Sequence, residues 1–239
     1  MTTDIKKNIE DILELTPMQQ GMLFHTLYNE GSDAYIEQFI LDLEGDINEE
    51  IFRKSWEYVI SRHQALRSSF RWKGIPKPVQ IVEKEVTVEW TNEDWSKNSD
   101  EIFEDKFIQL RLKDRQNLFD MEKAPLTRFV LIKSAPSSFR LLWTFHHILM
   151  DGWSYPVLIG EVLRAYTSIA GGVTPAFENP VPYKSYISWL NKQDKISAEA
   201  FWRKELSGFS APAHIKGHAA SKDETESIGS QEGIKFFSE

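Results

Sequence analysis

The sequence predicts a layered α/β sandwich. Three observations predict it. Strand-like and helix-like segments interleave along the 239 residues, 41% of those residues are hydrophobic and 13% aromatic, and no internal repeat divides the chain. That composition supplies a sizeable core and argues against wholesale disorder. The length suits one large domain or two small ones.

The elements follow in order. Residues 12–15 form a short strand ending at Thr16-Pro17, where Thr16 caps a helix and Pro17 takes its first position. Met18, Met22, Leu23 and Leu27 then share one helical face. Tyr35 to Leu43 is a strand with imperfect alternation. Asn48 caps a helix with Glu49 and Glu50 in its first turn and Phe52, Trp56, Val59, Ile60 and His63 at helical spacing. Strand-like pieces follow at Leu66–Trp72 and Val79–Trp90, and 98–113 is helical. Leu126–Ser134 and Phe139–His147 make a hairpin across Ala135-Pro136-Ser137-Ser138. Tyr155–Ala170 is a helix stopped by Gly171-Gly172. A Pro-rich link from Pro175 to Pro182 leads to helical segments over 183–207. Residues 210–232 are expected to be a loop, and 233–239 begin a strand-like pattern that leads the chain to be expected as a fragment.

The chemistry concentrates at His146-His147-Ile-Leu-Met-Asp151-Gly152-Trp153-Ser154, directly after the apolar run 139–145. Adjacent strand residues point to opposite faces. Only one of the two histidines can therefore face a given pocket. The layout suggests one chemical histidine, one structural histidine and an aspartate holding the turn. An imidazole, with its ordinary pKa of ~6.5, is suited to moving protons near neutrality. The short His-x-x-x-Asp pattern fits a buried, satisfied histidine as well. A metal site is disfavoured, because neighbouring strand histidines diverge and no third ligand sits at helical or hairpin spacing. Gly-x-Ser-x-Gly and Gly-rich phosphate loops are absent from the sequence.

Net charge is −8, which disfavours nucleic acid as a partner. There is no cysteine, so disulfides and thiolate metal sites are excluded. No apolar run approaches the ~18 residues of a membrane span, and the first residues carry no apolar signal segment. A soluble, cytoplasmic protein is expected.

Four ordered stretches carry a family resemblance. His146-His147-x-x-x-Asp151-Gly152 resembles the active-site motif of condensation domains of nonribosomal peptide synthetases. Leu15-Thr-Pro-Met-Gln-Gln-Gly-Met-Leu-Phe-His25 resembles that family's first motif and Ser61-Arg-His-Gln-Ala-Leu-Arg-Ser-Ser-Phe70 its second. Pro182–Leu190 together with Phe201–Leu206 resembles the segment closing the first half. The resemblance implies a chloramphenicol acetyltransferase-like sandwich of a mixed sheet with helices, one lobe of a two-lobe domain. Residues 11–209 would be the N-terminal lobe, 1–10 a tail or docking element, and 210–239 a loop and the start of the crossover to a missing C-terminal lobe.

The resemblance also implies roles. His147 is the residue at the reacting centre and His146 a structural one. Asp151 pairs with Arg62, Gly152 keeps the tunnel clear for the substrate arm, and Arg67 and Trp202 are structural. The implied reaction is peptide-bond formation from a carrier-bound donor thioester to a carrier-bound acceptor amine. The chain itself would bind no cofactor and no metal; phosphopantetheine arrives on donor and acceptor peptidyl carrier proteins. A downstream adenylation domain and an upstream synthetase ending in an epimerisation domain are further implied partners. The first motif looks more like the subgroup accepting a D-configured donor, although Ser154 departs from the Cys often found there. Two other readings stay open: a one-lobe homotrimeric acyl-CoA-dependent acyltransferase of the chloramphenicol acetyltransferase type, which the carrier-type motifs and the polar stretch 210–232 disfavour, and a non-catalytic carrier-docking module, which intact His147 and Gly152 disfavour.

Overall fold

The structure is a computed structural model that describes residues 8–29 and 31–210. The expected loop beyond 210, the strand at 233–239 and most of the N-terminal tail lie outside the described residues. The chain divides into two units, 1–191 and 192–239. The first contains β1 (Ile9–Glu14), α1 (Pro17–Tyr28), β2 (Ile36–Glu44), α2 (Glu49–Arg62), β3 (Ser68–Arg71), β4 (Val79–Glu83), β5 (Glu89–Asp94), α3 (Asp100–Gln116), β6 (Thr127–Ala135), β7 (Ser138–His146), α4 (Ser154–Ala170) and α5 (Tyr183–Asn191). The second contains α6 (Lys195–Glu205).

Two sheets form. One has the order β1-β4-β3 and is antiparallel; the other has the order β2-β7-β6-β5, with β5 parallel to β6 and the other pairs antiparallel. The mixed sheet is buried on both sides. Phe129, Leu141, Trp143 and Phe145 join a core with Phe52, Trp56, Val59 and Ile60 of α2 and Leu158 and Val162 of α4. Ile132 and Leu142 join another with Phe103 and Phe107 of α3. The alternation along β7 thus feeds two layers. Trp143 is its hinge of packing: its ring centroid lies 4.8 Å from that of Trp56, and its Nε1–H donates to Thr127 Oγ1 at 2.8 Å.

The helix starts are where capping chemistry places them. Thr16 and Gln19 make a reciprocal capping box, and Asn48, Ser99 and Asp194 each accept backbone N–H groups of the next turn. Several boundaries differ from the sequence expectation. Glu10 belongs to β1, so the tail ends before residue 9. Residues 64–67 form a 3-10 turn ahead of β3, while the helical segments expected over 183–207 are α5 and α6. Met18 is 70% exposed, because Pro17 and Met18 sit at the solvent side of the first turn while Leu23 is buried.

The α3 face of the sheet holds a buried charge. Asp114 accepts from Arg128 Nε at 2.7 Å, from Thr144 Oγ1 at 2.6 Å and from Gln38 Nε2 at 3.0 Å. Removing the carboxylate leaves Arg128 buried without its counter-charge. Asp114→Ala is expected to cost about 3–5 kcal/mol in urea unfolding; a loss below about 1 kcal/mol would show that the network does not tie α3 to the sheet.

Candidate functional site

β7 ends at His146, and the chain turns at once into the 3-10 turn His147–Leu149. His146 is 2% exposed. Its Nδ1 accepts the Ile148 N–H at 3.1 Å, and its Nε2 lies 3.1 Å from Thr26 Oγ1. The Thr26 hydroxyl donates its proton to the Met22 carbonyl at 2.9 Å. The ring must therefore donate to Thr26, which fixes the neutral Nε2–H tautomer. Burial, with a lesser push from the neighbouring His147, takes the His146 pKa down to about 4. His146 is thus a neutral structural element at physiological pH.

His147 is held differently. Its backbone N–H donates to the Tyr35 carbonyl at 2.8 Å. Its ring Nδ1 is buried and has no hydrogen-bond partner among the described residues. The ring lines a cavity of ≈ 470 Å³ together with Gln19, His63, Asp151, Leu158 and Tyr183. His146 lines a different cavity of ≈ 310 Å³ with Thr26, Tyr35, Trp72 and Met121. The two histidines line separate spaces, one at the last position of β7 and the other at the first of the 3-10 turn.

Asp151 holds the turn into α4. Its Oδ1 accepts from the Trp153 N–H and from Ser154 Oγ, both at 3.1 Å, and its carbonyl accepts the Ser154 N–H at 3.0 Å. It does not pair with Arg62, which corrects the expected partnership. Asp151 is exposed and spends its carboxylate locally. Arg62 is instead nearly buried, with Nε 3.4 Å from Glu161 Oε2, Nη2 donating to the Glu178 carbonyl at 2.6 Å and its guanidinium over the Phe177 ring at 5.0 Å. A nearby buried carboxylate outcompetes a solvated one for the guanidinium.

The remaining expected residues separate. A Cβ built on Gly152 meets nothing within 4 Å, so packing among the described residues does not require its smallness. Arg67 is 4% exposed and ties the first sheet together, with Nη1 donating to Glu10 Oε2 at 2.7 Å and to the Glu83 carbonyl. Burial raises the Glu10 carboxyl, but the bonds from Arg67 and Gln64 outweigh it and hold the group below its ordinary value. Trp202 lies on α6 in the second unit, its ring edge-on to that of Phe201.

The structure adds residues that sequence reading passed over. Glu161 takes His63 Nε2 at 2.9 Å as well as Arg62, on a helix face otherwise made of Leu158, Val162 and Ala165. A carboxylate inside an apolar stripe was the available signal. Gln19 lies buried at the cavity, and its place three residues after Thr16 was the signal of a capping box. Among the described residues no group of three His, Asp or Glu could hold a metal ion, and no helix is long and apolar enough to cross a membrane.

A family model described as Condensation domain matches residues 9–235. Bacitracin synthase 3 of Bacillus licheniformis is 38% identical over 206 residues, which is 86% of this chain and 3% of that protein. Bacitracin synthase 1 of the same organism is 33% identical over 232 residues, 97% of this chain and 4% of that protein. Gramicidin S synthase 2 of Brevibacillus brevis is 32% identical over 209 residues, 87% of this chain and 5% of that protein. The chain therefore spans a small part of the curated relatives it matches. Among solved structures, the first condensation domain of the calcium-dependent antibiotic synthetase matches at a TM-score of 0.76 and 14% identity, covering 88% of this chain and 52% of that one. The starter condensation domain of rhizomide synthetase RzmA matches at a TM-score of 0.73 and 20% identity, covering 83% and 50%. These two likenesses are of fold.

The reassigned ion pairs make opposite demands on two variants. Glu161→Ala strands Arg62 and His63 and is expected to cost about 2–4 kcal/mol in denaturant unfolding. Asp151→Ala removes only a solvated turn bond and is expected to cost about 1 kcal/mol or less. Equal losses, or the reverse order, would restore Asp151 as the partner of Arg62.

Proposed function

The chain belongs to the condensation-domain family, and from that premise we propose that it takes part in peptide-bond formation in nonribosomal peptide synthesis. The amine of a carrier-bound acceptor attacks the carbonyl carbon of a carrier-bound donor thioester. A C–N bond forms, the C–S bond breaks, and the amine's proton ends on the departing phosphopantetheine sulfur. The donor acyl or peptidyl group thereby moves to the acceptor. One observation carries the reading: His147 has a pinned backbone and a ring whose Nδ1 has no partner among the described residues, at the wall of a ≈ 470 Å³ cavity.

That geometry favours positioning with late proton acceptance. An α-amino group has a pKa near ~8, so a usable neutral fraction exists at neutral pH without a strong base. Among the described residues no carboxylate orients Nδ1 of His147 in the way a catalytic triad would. His147 holds the amine by a hydrogen bond, takes its proton as the tetrahedral species forms and returns it to the sulfur. Gly152, between the cavity-lining Asp151 and Ser154, would keep the path of the phosphopantetheine arm clear of a side chain. His146 and Asp151 shape the turn on either side, and Arg62 and Arg67 brace the elements around it.

In this reading the chain is an N-terminal lobe, inactive alone. The solved condensation domains are about twice the matched length, and Met18, which lines the cavity, is 70% exposed, as a side chain facing a second lobe would be. Donor and acceptor carrier proteins, an adenylation domain downstream and a synthetase with an epimerisation domain upstream are the partners proposed, in the cytoplasm. The motif Met18-Gln-Gln-Gly-Met-Leu-Phe-His25 supports a D-configured donor.

The test is single-turnover transfer in a complete two-lobe domain with loaded carriers. His147→Ala is expected to lower the rate by at least about 100-fold with an unchanged melting temperature. Turnover near that of the unsubstituted domain would overturn the assignment.

A further inference from the structure

We propose that Gln19 is a positioning residue for His147, acting through the carbonyl of Ile148. Three backbone groups fix the turn that carries His147. The His147 N–H is held by Tyr35 and the Ile148 N–H by His146 Nδ1. The Ile148 carbonyl is held by Gln19 Nε2, at 3.4 Å. The first two anchors belong to the sheet and its end. The third comes from α1, on another element, and nothing in the family comparison assigns it.

The amide of Gln19 has only one workable orientation. The Thr16 N–H can only donate, and it lies 3.1 Å from Gln19 Oε1. Nε2 must then be the end that faces Gln80 Oε1 at 3.0 Å and the Ile148 carbonyl. Gln80 Nε2 in turn donates to Ser68 Oγ at 2.7 Å, and the Ser68 hydroxyl donates to the Gln64 carbonyl at 2.7 Å. Gln19, Gln80 and Ser68 are 6%, 1% and 0% exposed. A buried chain of amides and a hydroxyl, with each donor matched to an acceptor, resists rotation of any one member. It joins the start of α1, the strands β3 and β4 and the turn after β7. Gln19 also lines the cavity that His147 lines. The chain therefore sets the height at which the His147 ring meets that cavity.

A purely structural role would act through the helix cap, since Gln19 also completes the capping box with Thr16. The test separates the two on this chain alone, without carriers. Ring ¹⁵N resonances of His147 and amide exchange at Ile148 are recorded for Gln19→Met and for Thr16→Ala. Gln19→Met is expected to move the His147 ring signals and to speed Ile148 exchange roughly tenfold, while Thr16→Ala leaves both in place. Unmoved His147 signals in folded Gln19→Met, or equal movement in Thr16→Ala, would overturn the proposal. Should Gln19→Met not fold, Gln80→Met is read on the same signals: movement supports the relay, and none overturns it.

The kinetic consequence rests on the condensation reading. In the two-lobe domain Gln19→Met is expected to lower kcat roughly tenfold with the acceptor KM little changed. An unchanged kcat would overturn the positioning role. His147→Ala with normal turnover would overturn the condensation reading instead, whatever the ring signals show.

Discussion

The burial of His146 as a neutral, doubly bonded ring is the constraint on which the site depends. Its two nitrogens close one hydrogen bond to the following turn and one to α1. A charged imidazolium could not accept the Ile148 N–H, and burial, with a lesser push from His147, keeps the ring in the neutral form that this bond requires. With the turn closed, the next residue, His147, leaves the strand pleat and faces the other cavity. The neutral, bonded ring of His146 thereby fixes where the ring of His147 meets its cavity.

The rest of the fold serves that strand end. β7 lies at the middle of the mixed sheet, paired along its length with β2 and β6. Its odd-numbered aromatics lock into α2 and α4, and its even-numbered residues meet α3 and the Asp114 network. At the foot of α4, burial pushes the Tyr155 hydroxyl up to about 12, with the charges of Glu37 and Asp151 adding to it, so this ring packs against Phe39 and Phe145 as a neutral group. A strand held on both faces and both edges cannot slip register without moving each side chain to the wrong layer. The position of residue 147 is therefore a consequence of packing many residues away.

Much of this was legible in the sequence, and the reasons are physical. Thr16-Pro17 and Asn48-Glu49-Glu50 announce helix starts because the caps act within a few residues. The divergence of His146 and His147 was expected from strand alternation, and the 3-10 turn that begins at His147 produces it here. Partnerships between distant residues were not legible. Arg62 and Glu161 meet because α2 and α4 pack side by side, and no local spacing encodes that contact. The Gln19 relay was visible only as half of a capping box, since its other partners come from β3, β4 and the turn after β7.

The most direct measurement is a long-range ¹H–¹⁵N correlation spectrum of the histidine rings, followed from pH 8 down to pH 5. The structure predicts that His146 keeps the pattern of a neutral Nε2–H tautomer throughout that range, because its pKa lies at about 4. Protonation of His146 with a midpoint near the ordinary value of ~6.5 would contradict it. The turn could then not be closed by that ring, and the separation of a structural from a chemical histidine would fall.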